Sequence, residues 1–496
     1  MSTSRFLRTL ALGLTSASVC LAQAPQRVRH PLAERSEVAA ALAVLDAWVG
    51  ATVAQREQPS LSIGIVYDQD LIWANGYGYA DLAKRVPATP ATLYRIASIS
   101  KLFTATAVMQ LRDAGKLRLD DRVAARLPWF AIRDTFADDQ EMTIRHLLTH
   151  TSGLPREVDG VNWSEYRFPA QESMVRSLPG QLMVYPVGTE WKYSNLALSL
   201  AGEIVAHASG EPWPQYIERH ILRPLGMGST MAAPRPLQPG LAVGYGRRVA
   251  GQARDVEPVV DVGAEAPAGN IASSVQDLAK FVSLQFRASS AGDPQVLKGS
   301  TLREMHQVQW LRPDWTGGWG LGFAVRRVDG QTRVGHSGSL PGHRSQIQFA
   351  PATKLGVIVL TNANDGDPMR YVDQAFRLVG PALAKVVDST KAPRRPDPSW
   401  ARYVGTYTWK HADVNVLVLN GELTMIVPDA ENPWETRFLL RPVARHTFRI
   451  VPTGFTTGPV GELLTFDLDS AGSVRRVNTP NWYWVPKQAK GAQATR

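Results

Sequence analysis

The chain has 496 residues, more than one ordinary domain needs and enough for two or three. Hydrophobic residues at 44% and charged residues at 20% give the balance of a soluble globular protein. The formal charge of +10 is scattered, with Arg394–Arg395 and Arg475–Arg476 as its densest runs. That argues against a nucleic-acid stripe, and a single cysteine excludes a disulfide framework.

The N-terminus reads as a signal peptide over residues 1–22. Arg5 and Arg8 form the charged region, Leu10–Leu21 the apolar region, and Cys20 and Ala22 the small residues before a cut at Gln23. The apolar run is too short to span a bilayer. The mature chain is therefore expected to be exported, periplasmic or extracellular, without a membrane span. Val19 before Cys20 fits a lipoprotein signal poorly, and lipidation of Cys20 is left open.

Residues 36–57 carry helical periodicity, with Val38, Leu42, Leu45, Val49 and Val53 on one face. Two strands, Leu61–Tyr67 and Leu71–Tyr79, flank a turn at Asp68-Gln69-Asp70. A helix is predicted from Ser98 to Ala114, closed by Gly115. Further helices are expected near Thr143–Thr149, Ser194–Ser209, Trp213–Leu222 and Ser274–Phe286. Strands return near Leu321–Val328, Thr332–His336, Gln346–Phe349 and Gly356–Leu360, followed by a helix at Met369–Gly380. Strands, a helical block, then strands again predict an α/β domain with a helical insertion over residues 23–388, with a cleft where the two parts meet.

A linker is expected at 389–399, where Pro393, Pro396 and Pro398 cluster. Beyond it, over 400–490, short strands at Val414–Leu419, Glu422–Val427, Phe438–Leu440, Thr447–Val451 and Glu462–Leu468 predict a small antiparallel β domain, for which a barrel is one available form.

Three short motifs carry chemistry. Ser98 and Lys101 lie three apart at a helix start, so they share a face. A serine hydroxyl needs a base to take its proton, and a lysine serves if burial favours its neutral form. Tyr193-Ser194-Asn195 offers a phenol able to relay a proton and an amide able to orient a substrate. A helix cap with a core tyrosine is the plainer reading of that triplet. Gly335-His336-Ser337-Gly338-Ser339 ends a strand, where Gly338 would let a substrate approach the backbone and His336 could add a hydrogen bond. His146 and His150, four apart on a helix, have no glutamate placed to complete a zinc site and are read as structural.

Taken together, the S-x-x-K, Y-x-N and H-x-G triplets resemble the serine β-lactamases and penicillin-binding proteins. The resemblance is to the branch with class C β-lactamases, D-alanyl-D-alanine carboxypeptidases, D-aminopeptidases and esterases. Tyr94–Thr104, Ile144–Leu154, Pro186–Asn195 and Gly269–Phe281 also look like that family, over roughly residues 38–385. The resemblance implies a β-lactamase/transpeptidase-like fold, an antiparallel sheet flanked by helices with a helical subdomain. It implies that Ser98 is acylated, Lys101 deprotonates it, and Tyr193 protonates the leaving group. Asn195, His336, Ser337 and Gly338 would bind substrate, and the backbone N–H groups of Ser98 and Ser339 would form the oxyanion hole. No cofactor and no metal is implied, and the partner is a small molecule or short peptide.

One departure is chemical. Position 336 is His where the true β-lactamases carry the lysine that holds a substrate carboxylate, which puts strong β-lactam hydrolysis in doubt. Two other readings stay open. One is an α/β-hydrolase using Ser337, since Gly335-His336-Ser337 begins a nucleophile elbow that fails at Ser339. The other is a protein that binds peptides or β-lactams without turnover. Specificity is expected in loops 155–174, 233–268 and 310–320, with Trp310, Trp315 and Trp319 either lining the cleft or packing beneath it.

Overall fold

Ser60–Tyr67 is buried on both faces, which makes it an interior strand. In the computed structural model it is β1. The structure describes residues 30–136, 140–234, 238–287, 296–390, 397–410, 412–419, 421–428, 437–453 and 458–487. The predicted signal segment lies outside them.

The strands of the first unit follow in chain order. They are β1, β2 (Asp70–Asp81), β3 (Val86–Pro87), β4 (Tyr94–Arg95), β5 (Ala272–Ser273), β6 (Trp310–Leu311), β7 (Gly317–Trp319), β8 (Ala324–Val328), β9 (Gln331–Leu340), β10 (His343–Ala350) and β11 (Leu355–Thr361). Nine of them form one antiparallel sheet in the order β3-β2-β1-β11-β10-β9-β8-β7-β6, and β4 pairs separately with β5. Ile63 of β1 sits between Asn75 and Val359, so the N-terminal hairpin docks onto the C-terminal strands.

The helices are α1 (Ser36–Gln55), α2 (Ser100–Asp113), α3 (Val123–Arg126), α4 (Ile144–Thr149), α5 (Gln171–Ser177), α6 (Asn195–Ser209), α7 (Trp213–Ile217), α8 (Ala266–Gly269), α9 (Val275–Leu284), α10 (Gly299–His306) and α11 (Pro368–Thr390). On one face of the sheet, Val38, Leu42, Leu45 and Val49 of α1 and Tyr371, Val372 and Val379 of α11 bury Leu61, Ile63 and Ile65. By length and composition α1 could cross a membrane, but its apolar stripe is covered by the sheet. On the other face α9 presses so close that a side chain at Gly64 would lie 2.4 Å from Val275. There Phe103 of α2 and Phe281 of α9 stack at 4.3 Å. Full burial of each ring contributes about 1.5–3 kcal/mol.

The expected order of elements holds, and the departures have local causes. The predicted helix at Ser98 begins as a 3₁₀ turn, Ala97–Ile99, before α2. The helix after Trp213 turns π-helical over Glu218–Leu222. Helix α11 continues past Pro381 to Thr390 because Leu383 and Val386 beyond the proline are buried in the same cluster. The first two residues assigned to the linker, Ser389 and Thr390, therefore belong to that helix.

The chain divides into two compact units, residues 1–386 and 387–496. In the second, β12 (Gly405–Trp409), β13 (Ala412–Leu419), β14 (Glu422–Ile426), β15 (Phe438–Ala444), β16 (Thr447–Pro452), β17 (Leu463–Leu468), β18 (Val474–Asn478) and β19 (Tyr483–Pro486) close an antiparallel barrel. Closure runs through Tyr407↔Pro486 and Thr408↔Val485. Eight strands leave an interior that side chains just fill. Tyr403, Phe448, Phe466 and Trp484 supply much of it, with Tyr403 and Phe466 stacked at 4.4 Å.

Candidate active site

The segment before α2 is held from three sides. Tyr94 pairs with Ser273, and the buried Arg95 donates to Val260 O (2.9 Å) and Asn270 Oδ1 (2.8 Å). Ile96 O accepts from Ser345 Oγ on β10 (2.8 Å). Ala97 then takes a left-handed φ of 51°, strained for a residue with a side chain. The turn brings Ser98 half-exposed to the cleft while its neighbours are buried.

Lys101, one helical turn on, is only 1% exposed. Its Nζ lies 3.1 Å from Ser98 Oγ, 2.8 Å from Asn195 Oδ1 and 2.7 Å from Ala268 O. Burial pulls its pKa down to about 7, opposed by the nearby Glu265 and Glu157. A lysine at its ordinary value is neutral in fewer than about one molecule in 10³ at pH 7, whereas burial here makes the neutral amine a substantial population. The neutral amine can give its two hydrogens to Asn195 and Ala268, which leaves its lone pair facing Ser98.

Tyr193 and Asn195 arrive on the start of α6, where Ser194 caps the helix by accepting from Ala197 N (3.0 Å). The capping and chemical readings of this triplet are thus compatible. The Tyr193 hydroxyl is hydrogen-bonded to Ser98, and burial raises its pKa above the ordinary value. Lys101 Nζ and the Arg156 guanidinium stand 5.0 and 5.2 Å from the centre of its ring. Asn195 is engaged at both ends, accepting from Lys101 and donating to Glu157 Oε2 (2.7 Å). In this state it orients Lys101, with one amide hydrogen and one oxygen lone pair left over on the cavity-lining side chain.

The sheet supplies the opposite wall. Strand β8 pairs with β9 only as far as Ala324↔Gly335, so residues 336–340 have β10 on one side and the cleft on the other. His336 is buried and Ser337 and Ser339 are exposed. Burial, with Lys101 adding to it, pulls the His336 pKa down to about 3, so the ring is uncharged at neutral pH. Its Nδ1 contacts Ser337 O at 2.5 Å. A side chain at Gly338 would lie 2.1 Å from Ile96 O and 2.2 Å from Ser345 Oγ. The close approach there is made by the nucleophile turn, not left open for a substrate.

Ser98, Tyr193, Asn195, His336, Ser337 and Ser339 line one cavity of about 500 Å³. Of the three tryptophans in 310–320, Trp319 lines it, while Trp315 is 78% exposed and Trp310 sits on β6 at the sheet edge. Sequence reading missed Arg156, Trp163, Trp191 and Glu265, which also line it. Glu265 is buried beside Glu157 and accepts from Val158 N (3.1 Å); burial and that neighbouring carboxylate raise its pKa. For Arg156, Trp163 and Glu265 the available signal was their place in the expected specificity loops, and for Trp191 its place in the Pro186–Asn195 segment.

The two histidines of the 144–154 segment separate. The ring of His146 caps the start of α4 through Thr143. His150 is not in the helix, since it ends it in left-handed conformation (φ 58°), and its ring packs 4.5 Å from that of Tyr193. Among the described residues no group of three or more His, Cys, Asp or Glu converges as a metal site. Ser337 lies within an antiparallel hairpin, not on a strand-to-helix turn, so the α/β-hydrolase reading is overturned.

A family model described as Beta-lactamase matches residues 45–380. The chain is 28% identical over 306 residues to Beta-lactamase-like protein 2 of Dictyostelium discoideum, covering 60% of this chain and 55% of that protein. It is 28% identical over 316 residues to Protein flp of Staphylococcus aureus strain MW2, covering 62% and 60%. It thus spans 55–60% of the length of these curated relatives. Among solved structures it is similar to the octameric penicillin-binding protein homologue from Pyrococcus abyssi, with a TM-score of 0.58 and 25% identity over 90% of this chain and 99% of that one. A D-stereospecific amidohydrolase from Streptomyces sp. shares the fold, with a TM-score of 0.56 and 24% identity over 67% and 98%.

Proposed function

The chain belongs to the Beta-lactamase family, and from that premise we propose that it is a serine hydrolase cleaving a small amide or ester through an acyl-Ser98 intermediate. The observation that carries this reading is a fully buried lysine amine, with its pKa near 7, at 3.1 Å from a cleft-exposed serine hydroxyl. Lys101 takes the Ser98 proton as Oγ attacks the carbonyl carbon. The backbone N–H groups of Ser98 and Ser339 receive the developing oxyanion. Tyr193, hydrogen-bonded to Ser98, passes a proton to the leaving group as its bond to the acyl carbon breaks. Water then attacks the acyl-enzyme with the proton path reversed. Asn195 holds Lys101 in place, and the free edge of β9 offers Ser337 and the backbone beside Gly338 to an extended substrate.

An uncharged His336 is a poor anchor for a carboxylate, which favours neutral esters and amides, including those of D-amino acids, over β-lactams. The N-terminal sequence supports work outside the cytoplasm.

The test is mass spectrometry after exposure to a fluorophosphonate, paired with Ser98→Ala. A single adduct on Ser98 and a loss of turnover of at least about 10³-fold in the variant are expected. Since the hydroxyl is half-exposed, little stability should be lost. An adduct on Ser337 would move the nucleophile, and no adduct would favour a protein that binds without turnover.

A further inference from the structure

A residue that ends a helix in left-handed conformation is usually glycine, as Gly210 is at the end of α6. Helix α4 ends instead on His150, at φ 58° and ψ 34°. Retention of a strained, buried side chain where glycine would be unstrained directs attention to what that side chain does. His150 is fully buried. Its backbone carbonyl accepts from Lys192 N (2.8 Å), and its Nδ1 accepts from Ser194 N (3.2 Å). The two contacts bracket Tyr193 on either side. Between them the imidazole lies 4.5 Å from the tyrosine ring at an interplanar angle of 36°.

Because Nδ1 accepts, the proton of the neutral imidazole sits on Nε2. That Nε2 is buried without a hydrogen-bond partner. On β9 the tautomer is the reverse. Nδ1 of His336 faces Ser337 O and carries the proton, leaving Nε2 as a bare acceptor, likewise buried and unpartnered. Trp319 lies between them, its ring 4.9 Å from His150 and 5.4 Å from His336, and its Nε1–H is orphaned as well. Such buried orphans are rare, and beside Tyr193 they leave ring packing as what holds the imidazole on that side.

We infer that His150 is the positioning residue of Tyr193, holding its loop through Lys192 N and Ser194 N and packing its ring against the phenol. The inference rests on the reading of Tyr193 as the group that protonates the leaving group. On that reading His150 governs one step, proton delivery, and leaves nucleophilic attack largely untouched.

The test compares two leaving groups on one acyl chain, ethyl butyrate and 4-nitrophenyl butyrate, in the full chain and in His150→Gly. Glycine suits the left-handed backbone and removes the ring. Alkoxide needs a proton to depart and nitrophenolate hardly does. A fall in kcat/KM of about 10²-fold for the ethyl ester, against less than about threefold for the nitrophenyl ester, is expected. Equal losses on both esters, or none on either, would overturn the inference. A second variant, His150→Asn, tolerates the same backbone, keeps an acceptor for Ser194 N and loses the ring against Tyr193. The ring proton signals of Tyr193, unchanged between wild type and either variant, would equally overturn it, while their shift or broadening supports it whether or not the esters are turned over. Failure of the fluorophosphonate to label Ser98 in the wild type would count against the preceding reading and not against the His150–Tyr193 contact.

Discussion

The two units of the chain treat buried polarity in opposite ways. The barrel fills its interior with apolar and aromatic side chains, and among the described residues Thr424 is its one buried polar residue. The first unit buries Arg95, Lys101, Asn195, Glu265 and His336 within a single region. Placing such groups out of water is costly unless each is paired or discharged. The barrel interior thus avoids that cost, whereas the cleft holds buried titratable groups, Lys101, Glu265 and His336, whose proton affinities are displaced from their ordinary values.

The sharpest way to break this contrast is to keep the charge of Lys101 and remove its ability to lose a proton. Lys101→Arg should be nearly as inactive as Lys101→Ala, each down by about 10²–10⁴-fold in kcat/KM. A folded, active arginine variant, scored by ester turnover beside circular dichroism, would take lysine out of the proton path. The pH profile sharpens the same point. Protonated Lys101 cannot accept from Ser98, so activity rises with pH and levels off above about 7. Below that point kcat/KM should fall about tenfold per pH unit. A limb that keeps rising toward pH 10, measured at constant ionic strength, would return the amine to the ordinary lysine range.

A smaller effect is expected at the sheet wall. His336→Lys places a far more basic group at this wall, one that a bound carboxylate would hold protonated, and the ratio of kcat/KM for a carboxylate-bearing β-lactam over a neutral ester should rise by about tenfold. An unmoved ratio would assign selectivity to the loops around Arg156, Glu265 and Trp319. The smallest effect on turnover belongs to the barrel. Phe466→Ala empties a buried ring site and should cost about 3–5 kcal/mol of barrel stability, with kcat/KM held within about twofold. Calorimetry alongside ester turnover checks both, and parallel loss of the two would end the distinction between the units.

Much of this arrangement was legible in the sequence. The amphipathic pattern of α1, the β1–β2 hairpin and the order of the three motifs each rest on spacing within a short stretch, and the structure brings Ser98, Tyr193 and His336 to one cavity with Lys101 buried against Ser98. What stayed hidden depends on tertiary contact. Glu265 acquires its altered proton affinity only when the fold sets it beside Glu157, and nothing around it in the chain announces that. Strand β18 reads Val-Arg-Arg-Val-Asn, too polar and short to stand out, and becomes a strand because the barrel needs a neighbour for β17. The helix expected over Met369–Gly380 continues through Pro381 because burial of Leu383 and Val386 holds the turns beyond it. His150, counted as four along a helix from His146, turns away in left-handed backbone, a conformation that spacing does not predict.

The contact between Gly338 and the Ile96 carbonyl has a consequence for timing. With Ser345 hydrogen-bonded to the same carbonyl, the turn bearing Ser98 and the strand bearing Ser339 are seated on one another without room for an added methyl group. In the proposed reaction the two N–H groups that meet the oxyanion come one from each side of that seam. Their spacing is set when the chain folds, before any ligand arrives. The site is preorganised, and the entropy of aligning those donors is lost once per folding event, not once per catalytic cycle.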